Sequence, residues 1–190
     1  MKKNIIIPSI SLFVICTVAA LLLAFTNQAT AQKIEQLAAE NAKASQAKVL
    51  ETATSFEDKE ITVDGKAYTY QIGKNDSSEI VGYVVTTTAN GYGGQVKIMT
   101  GILPDGKVNK IEVLDVSSET PGLGLNASNE SFHSQFKGKS AGITVSKNSA
   151  EGNSIKAMTG ATITSTAVTN AVNTALTVYE NIVGGETSGK

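Results

Sequence analysis

The feature that most restricts this chain is an uncharged apolar run from Ile5 to Phe25 near its start. As a helix the run is about 32 Å long, enough to cross a hydrocarbon core of about 30 Å. Lys2 and Lys3 precede it, and the positive-inside rule puts them in the cytoplasm and everything after Phe25 outside. The competing reading is a cleaved signal peptide. Ala29-Thr30-Ala31 has the small-x-small form of a cleavage site, and Pro8, Ser9 and Ser11 weaken the first half of the run as a span. The run is long for a signal peptide and helical sequence follows it, so residues 1–31 are read as a single-pass anchor. No lipobox precedes Cys16. Both readings place the main domain outside the cytoplasm.

Residues 32–55 are rich in Ala, Glu, Lys and Gln, and read as a stalk helix. Ile34, Leu37, Ala38, Ala42 and Val49 give it a weak apolar stripe, interrupted by Asn41 and Ser45. A flexible tether is the alternative. The main domain is expected over 56–185, with a disordered tail at 186–190.

Within that domain, Ile61-Thr62-Val63 and the segment Ala67 to Ile72 flank Asp64-Gly65, a strong hairpin signal. Further strands are expected over Ile80 to Thr88, Val96 to Ile102 and Val108 to Val116, with Pro104-Asp105-Gly106 as a turn. A loop follows over Ser117 to Ser128, then a short helix at Glu130 to Phe136 and a short strand at Gly142 to Ser146. The last element is an amphipathic helix carrying Val168, Val172, Ala175, Leu176, Tyr179 and Val183, with Gly184 and Gly185 as its stop. Strands and helices do not alternate as βαβ units, so the fold class is α+β. It combines an N-terminal transmembrane helix and stalk helix, an antiparallel or mixed sheet, and a C-terminal amphipathic helix.

Composition excludes several chemistries. Cys16 is the only cysteine and His133 the only histidine. This chain therefore forms no internal disulfide, no Cys-ligated iron–sulfur cluster or zinc finger and no bis-His haem, and no metal site is expected. His133 is expected to be partly exposed on an amphipathic segment with Phe132 and Phe136. A net charge of −1 gives no footprint for nucleic acid. The chain has no Arg, so a phosphate would need backbone N–H groups, hydroxyls, Lys or a covalent bond. With one His and no paired carboxylates there is no catalytic acid–base residue to nominate.

Two loops can carry chemistry. Lys156 to Thr166 is a glycine-containing turn dense in hydroxyls that opens into the last helix. The unpaired N–H groups and dipole of a helix start favour an anion, and Gly160 lets the backbone approach a ligand. Ordinary N-capping by Ser and Thr is the alternative. The second loop is Ser118-Glu119-Thr120-Pro121-Gly122-Leu123-Gly124. Through Ala127 it fits G-x-G-x-x-A, but without the strand–turn–helix frame or an acid about 20 residues on, it is not a dinucleotide fingerprint.

Taken together, the chain resembles the G subunit of Rnf-type ion-translocating oxidoreductases and the related C subunit of sodium-pumping NADH:quinone reductase. The resemblance rests on four features: the anchor, Gly91-Tyr92-Gly93-Gly94 before a strand, Glu119-Thr120-Pro121-Gly122-Leu123-Gly124, and Thr159-Gly160-Ala161-Thr162-Ile163-Thr164-Ser165. The Glu-Thr-Pro-Gly-Leu-Gly string favours the Rnf G subunit. The resemblance implies an FMN-binding domain in which a flavin transferase, using FAD, esterifies the FMN phosphate to Thr162. It implies that Thr159, Gly160, Ala161, Thr164 and Ser165 surround the phosphate, with hydroxyl donation from the last two. Glu119, Thr120 and Leu123 are implied to pack near the isoalloxazine, and Gly122 between them is implied to be cofactor-binding.

The implied protein is an electron-carrying member of a ferredoxin/NAD-type membrane complex that couples redox flow to ion transport. It is not self-contained as an enzyme, and its partners are the other membrane subunits. One departure stands out: the family string usually has Asp three residues before its Ser/Thr, where this chain has Lys156. Two other readings of the same residues are a stand-alone extracytoplasmic flavin domain feeding an extracellular reductase, and a non-redox binding module on a stalk.

Overall fold

The computed structural model describes residues 3–187. It divides into two units, Met1–Asn41 and Ala42–Lys190. Helix α1, Lys3–Val49, runs through Pro8 and supplies residues to both. In the first unit the apolar side chains are exposed, Phe13, Leu21, Leu23 and Phe25 among them, and the helix is long and apolar enough to cross a membrane.

The second unit is built on a five-stranded antiparallel meander in the order of the chain. Its strands are β1 (Ser55–Val63), β2 (Lys66–Lys74), β3 (Ile80–Asn90), β4 (Gln95–Ile102) and β5 (Val108–Asp115). Strands β1 and β2 join at Asp64-Gly65, both at positive φ (51° and 75°), as a two-residue primed turn requires. Alternation sorts the sheet into two faces. Tyr83, Val85, Ile98 and Ile102 meet the C-terminal helix, while Val84 and Met99 meet Val49 and Leu50 at the end of α1.

Helix α3, Thr162–Thr187, crosses the first of these faces. Ala167, Ala171 and Ala175 are buried on it, and these small side chains let it lie close to the sheet. Thr87 Oγ1 donates to Ala171 O at 2.8 Å, and Tyr179 packs edge-on to Tyr83 and donates to Pro104 O at 2.8 Å. Burial of the Tyr179 phenol, with the Asp105 charge nearby, pushes its pKa up.

The expected α+β class holds, and several details differ. The expected stalk helix ends at Val49, where Leu50 turns into the core beneath the sheet. Strand β1 begins at Ser55, six residues before its apolar part, because its charged half pairs by backbone with β2. The short helix is split into α2 (Glu130–His133) and a 3-10 turn, Ser134–Phe136. Strand β6 (Thr144–Ser146) has a parallel partner that the sequence did not suggest, β7 (Ser154–Lys156). Gly184 and Gly185 do not stop α3: they continue its last turn, since a long packed helix propagates cheaply through residues of poor propensity. Val183 on that turn is exposed. The expected disordered tail at 186–190 is helical as far as Thr187, and its remainder lies outside the described residues. His133 is buried and not partly exposed: its Nε2 lies 3.1 Å from Ser128 O, within the α2 turn that seats Phe132 and Phe136 in the core.

Candidate functional site

Three loops meet at the start of α3. The first is the hydroxyl-rich turn. Ala161 N–H donates to Met158 O at 3.1 Å, closing a tight turn whose third residue, Gly160, has φ 74°. That is the type II requirement for glycine. Ala161 O accepts the first helical bond from Ser165 N–H at 3.0 Å, so Ala161 is the N-cap of α3. Alanine has no side chain to cap with. The N–H groups of Thr162, Ile163 and Thr164 find no acceptor among the described residues.

The hydroxyls of this turn divide sharply. Ser165 is fully buried; its Oγ donates to Ala161 O at 2.9 Å and accepts from Met158 N–H at 2.9 Å. Thr164 is buried and donates to Glu119 Oε2 at 2.6 Å. Thr166 donates back to Thr162 O at 2.9 Å. Thr159 is exposed and lines a separate shallow groove with Lys156, Gln135 and Met158. Thr162 is half-buried, and its hydroxyl makes no hydrogen bond with the described residues. The helical period explains the split: positions 164 and 165 fall on the face that buries Val168 and Val172.

The second loop follows β5. Asp115 Oδ1 accepts from Ser117 N–H at 2.9 Å, which holds its carboxyl below the usual range. Thr120 O accepts from Leu123 N–H at 3.1 Å across Pro121 and Gly122, and Gly122 has φ 76°, again the type II form. A 3-10 turn, Gly124–Ser128, comes next, so this string leads into no Rossmann frame.

The third loop, Gly91-Tyr92-Gly93-Gly94, closes through Gly91 N–H to Gly94 O at 2.7 Å. Its glycines are required by contact. A Cβ at Gly91 would overlap the Glu119 carboxylate, and one at Gly93 would overlap Ser118 O. Glu119, 3% exposed, takes the Gly93 N–H on Oε1 at 3.1 Å.

The loops enclose a cleft of about 520 Å³, in the usual range for a cofactor site. Of the residues nominated from the sequence, Glu119, Thr120, Leu123, Gly160, Ala161, Thr162 and Thr164 line it, whereas Thr159, Gly122 and Ser165 do not. Tyr92, Gly124 and Ile163 also line it and were not nominated; each lies inside one of the strings already singled out. Tyr92 (71% exposed), Ile163 (56%) and Leu123 (41%) leave apolar surface at the mouth. A flat aromatic ring fits between such groups, and a phosphate fits the unpaired N–H groups beside Thr162. The residues present therefore suit FMN. No group of His, Cys, Asp and Glu that could hold a metal occurs among the described residues.

Fold and cleft define an FMN-binding domain, and the family model of that description matches residues 91–177. The chain is 40% identical over 188 residues to the G subunit of the Na(+)-translocating ferredoxin:NAD(+) oxidoreductase complex of Acetobacterium woodii, covering 90% of this chain and 89% of that protein. It is 34% identical to the G subunit of the ion-translocating oxidoreductase complex of Methanosarcina acetivorans, covering 92% and 94%. Among solved structures, the C subunit of the Na(+)-translocating NADH-quinone reductase of Parabacteroides distasonis shares the fold, with a TM-score of 0.61 and 19% identity over 78% of this chain and 94% of that one. The chain belongs to the family of G subunits of ion-translocating oxidoreductase complexes, and is thus an oxidoreductase component.

Proposed function

We propose that this chain is the electron-transfer flavoprotein of a membrane complex that couples ferredoxin:NAD-type electron transfer to ion translocation, and that FMN is esterified to Thr162. The observation that carries the covalent reading is the hydroxyl inventory. Between Thr159 and Thr166, Thr162 alone has a hydroxyl that both lines the cleft and lacks a hydrogen bond among the described residues. The adjoining amides and helix dipole favour a phosphodiester by about 0.3–1 kcal/mol, and a covalent bond removes the need for an Arg clamp in a chain without Arg. Bound FMN supplies one- and two-electron chemistry. The chain's own residues hold and orient it: Gly160 and Ala161 at the phosphate, Leu123, Tyr92 and Ile163 at the ring, with Glu119, Thr120 and Thr164 shaping the floor. Thr159, Gly122 and Ser165 act through the turn geometry and not by direct contact.

The anchor reading puts residues 1–31 in the cell membrane, with Lys2 and Lys3 cytoplasmic and the FMN domain outside. Residues 32–55 are the stalk, 56–185 the FMN-binding domain and 186–190 a tail. The other membrane subunits supply the iron–sulfur centres and nucleotide site, and a flavin transferase supplies FMN from FAD. Lys156 is exposed on β7, so the departure from Asp lies on the surface a transferase would meet.

The test is protein made with its transferase, denatured and resolved on a gel. Wild type is expected to fluoresce as a flavin band and Thr162→Ala to be dark. A fluorescent Thr162→Ala band sinks the assignment. Purified wild type should also accept electrons from a chemical reductant without bleaching NADH; rapid NADH oxidation contradicts the relay reading.

A further inference from the structure

We propose that Glu119 is a positioning residue for flavin attachment, acting through Thr164 to set the direction of the Thr162 hydroxyl; the proposal rests on Thr162 being the acceptor. Glu119 ties together three separate loops. Its Oε1 takes the Gly93 N–H at 3.1 Å, and its Oε2 takes the Thr164 hydroxyl at 2.6 Å, a short charge-assisted bond. The carboxylate is 3% exposed and has no ion-pair partner among the described residues. A buried carboxylate without a cation is costly unless hydrogen-bonded, so these two donors hold it in place as much as it holds them. The space is fitted to it: a Cβ at Gly91 or Gly124 would overlap the carboxylate, and one at Gly124 would also come within 2.7 Å of Thr164 Oγ1.

The consequence lies in the first turn of α3. Ala161 provides no side-chain cap, so the N-cap residue itself does not fix the rotation of the first turn. Two bonds do so: Ser165 to the Met158 turn on one side, and Thr164 to Glu119 on the other. Thr162 lies two residues before Thr164, and its hydroxyl direction follows from that tie. In the transfer, Thr162 Oγ1 forms a bond to the FMN-side phosphorus of FAD. The pyrophosphate P–O bond breaks, AMP leaves, and the hydroxyl proton passes to a base of the transferase. No electrons move. A hydroxyl held in line reacts far faster than one that wanders, so loss of the tie should lower kcat and leave recognition unchanged.

The experiment follows flavin transfer from FAD to the purified full chain by its flavin transferase, as initial rates against protein concentration. Thr164→Val and Glu119→Ala are expected to lower kcat by about tenfold or more, with KM within about twofold of wild type. Thr164→Ser should restore most of the rate, because it keeps the donor. Melting curves are taken first; if Glu119→Ala does not fold, the Thr164→Val and Thr164→Ser pair decides. A Thr164→Val protein that is flavinylated at the wild-type rate, or one that loses only KM, overturns the proposal. A wild type that accepts no flavin at all is a different outcome, and removes the assignment of Thr162 itself.

Discussion

Two clefts of nearly equal size lie against α3, and only one has the features of a site. The first, about 500 Å³, sits between the β1–β2 hairpin and the polar face of the helix. Three of its polar side chains are already spent. Asn173 bonds both the N–H and the C=O of Ile143, Thr174 bonds Asn170 O, and Thr177 bonds Asn173 O. The second, about 520 Å³, lies at the helix start. There the Thr162 hydroxyl and three backbone N–H groups are uncommitted, and Tyr92, Leu123 and Ile163 hold apolar surface in water. Volume does not separate the two. What separates them is a helix start with unpaired N–H groups next to exposed apolar area, which a ligand with a phosphate and an aromatic ring would satisfy.

The largest effect expected on this contrast is from Gly93→Ala. The new Cβ would overlap Ser118 O and push the Glu119 loop off the helix start. Overpacking costs about 1–3 kcal/mol, so the melting temperature should fall and flavin attachment with it. A variant as stable as wild type and fully flavinylated would mean that the three loops are not interlocked. Leu123→Ala should act at the ring end. Leu123 is 41% exposed, so stability should change by no more than about 0.5 kcal/mol. Flavin in the loaded protein should become more open to quenching by iodide; unchanged quenching would remove Leu123 from the ring contacts. The control belongs to the other cleft: Thr174→Ala should leave flavin content as it was and shift stability by about 0.5 kcal/mol or less. Loss of flavin in that variant would break the comparison.

The smallest effect concerns pH. Asp115 opens the Glu119 loop, and the Ser117 N–H lowers its folded pKa. A depressed carboxyl adds stability above its unfolded pKa of about 3.9 and loses it as pH falls through the lower folded value. Melting curves of wild type and Asp115→Asn should therefore converge below about pH 4. A gap that persists in acid would show that the residue acts by shape and not by charge.

Much of this was legible in the sequence, for reasons that can be named. Asp64-Gly65 announced its hairpin because the turn demands positive φ at both positions. The stripe from Val168 to Tyr179 announced α3 because that face is buried against the sheet. The charged half of β1 was hidden, since Glu57, Asp58, Lys59 and Glu60 protect a sheet edge and carry no apolar alternation. Strand β7 has one buried residue, Ile155, too little to form a pattern. At the cleft, both loops could be picked from their residues, but the fate of each hydroxyl could not. Whether Thr164 points at a phosphate or at Glu119 depends on a contact between residues 45 positions apart. Burial of His133 was missed for a similar reason: Ser128 O, its partner, belongs to the preceding turn.

In the proposed assignment the Thr162 hydroxyl, which makes no hydrogen bond among the described residues, carries the flavin. The most direct measurement is mass spectrometry of the proteolytic peptide containing Thr162, from protein produced with its transferase. An adduct of FMN mass, less one water, is expected on that residue. An unmodified peptide, or an adduct placed on Thr159 or Thr164, would contradict it.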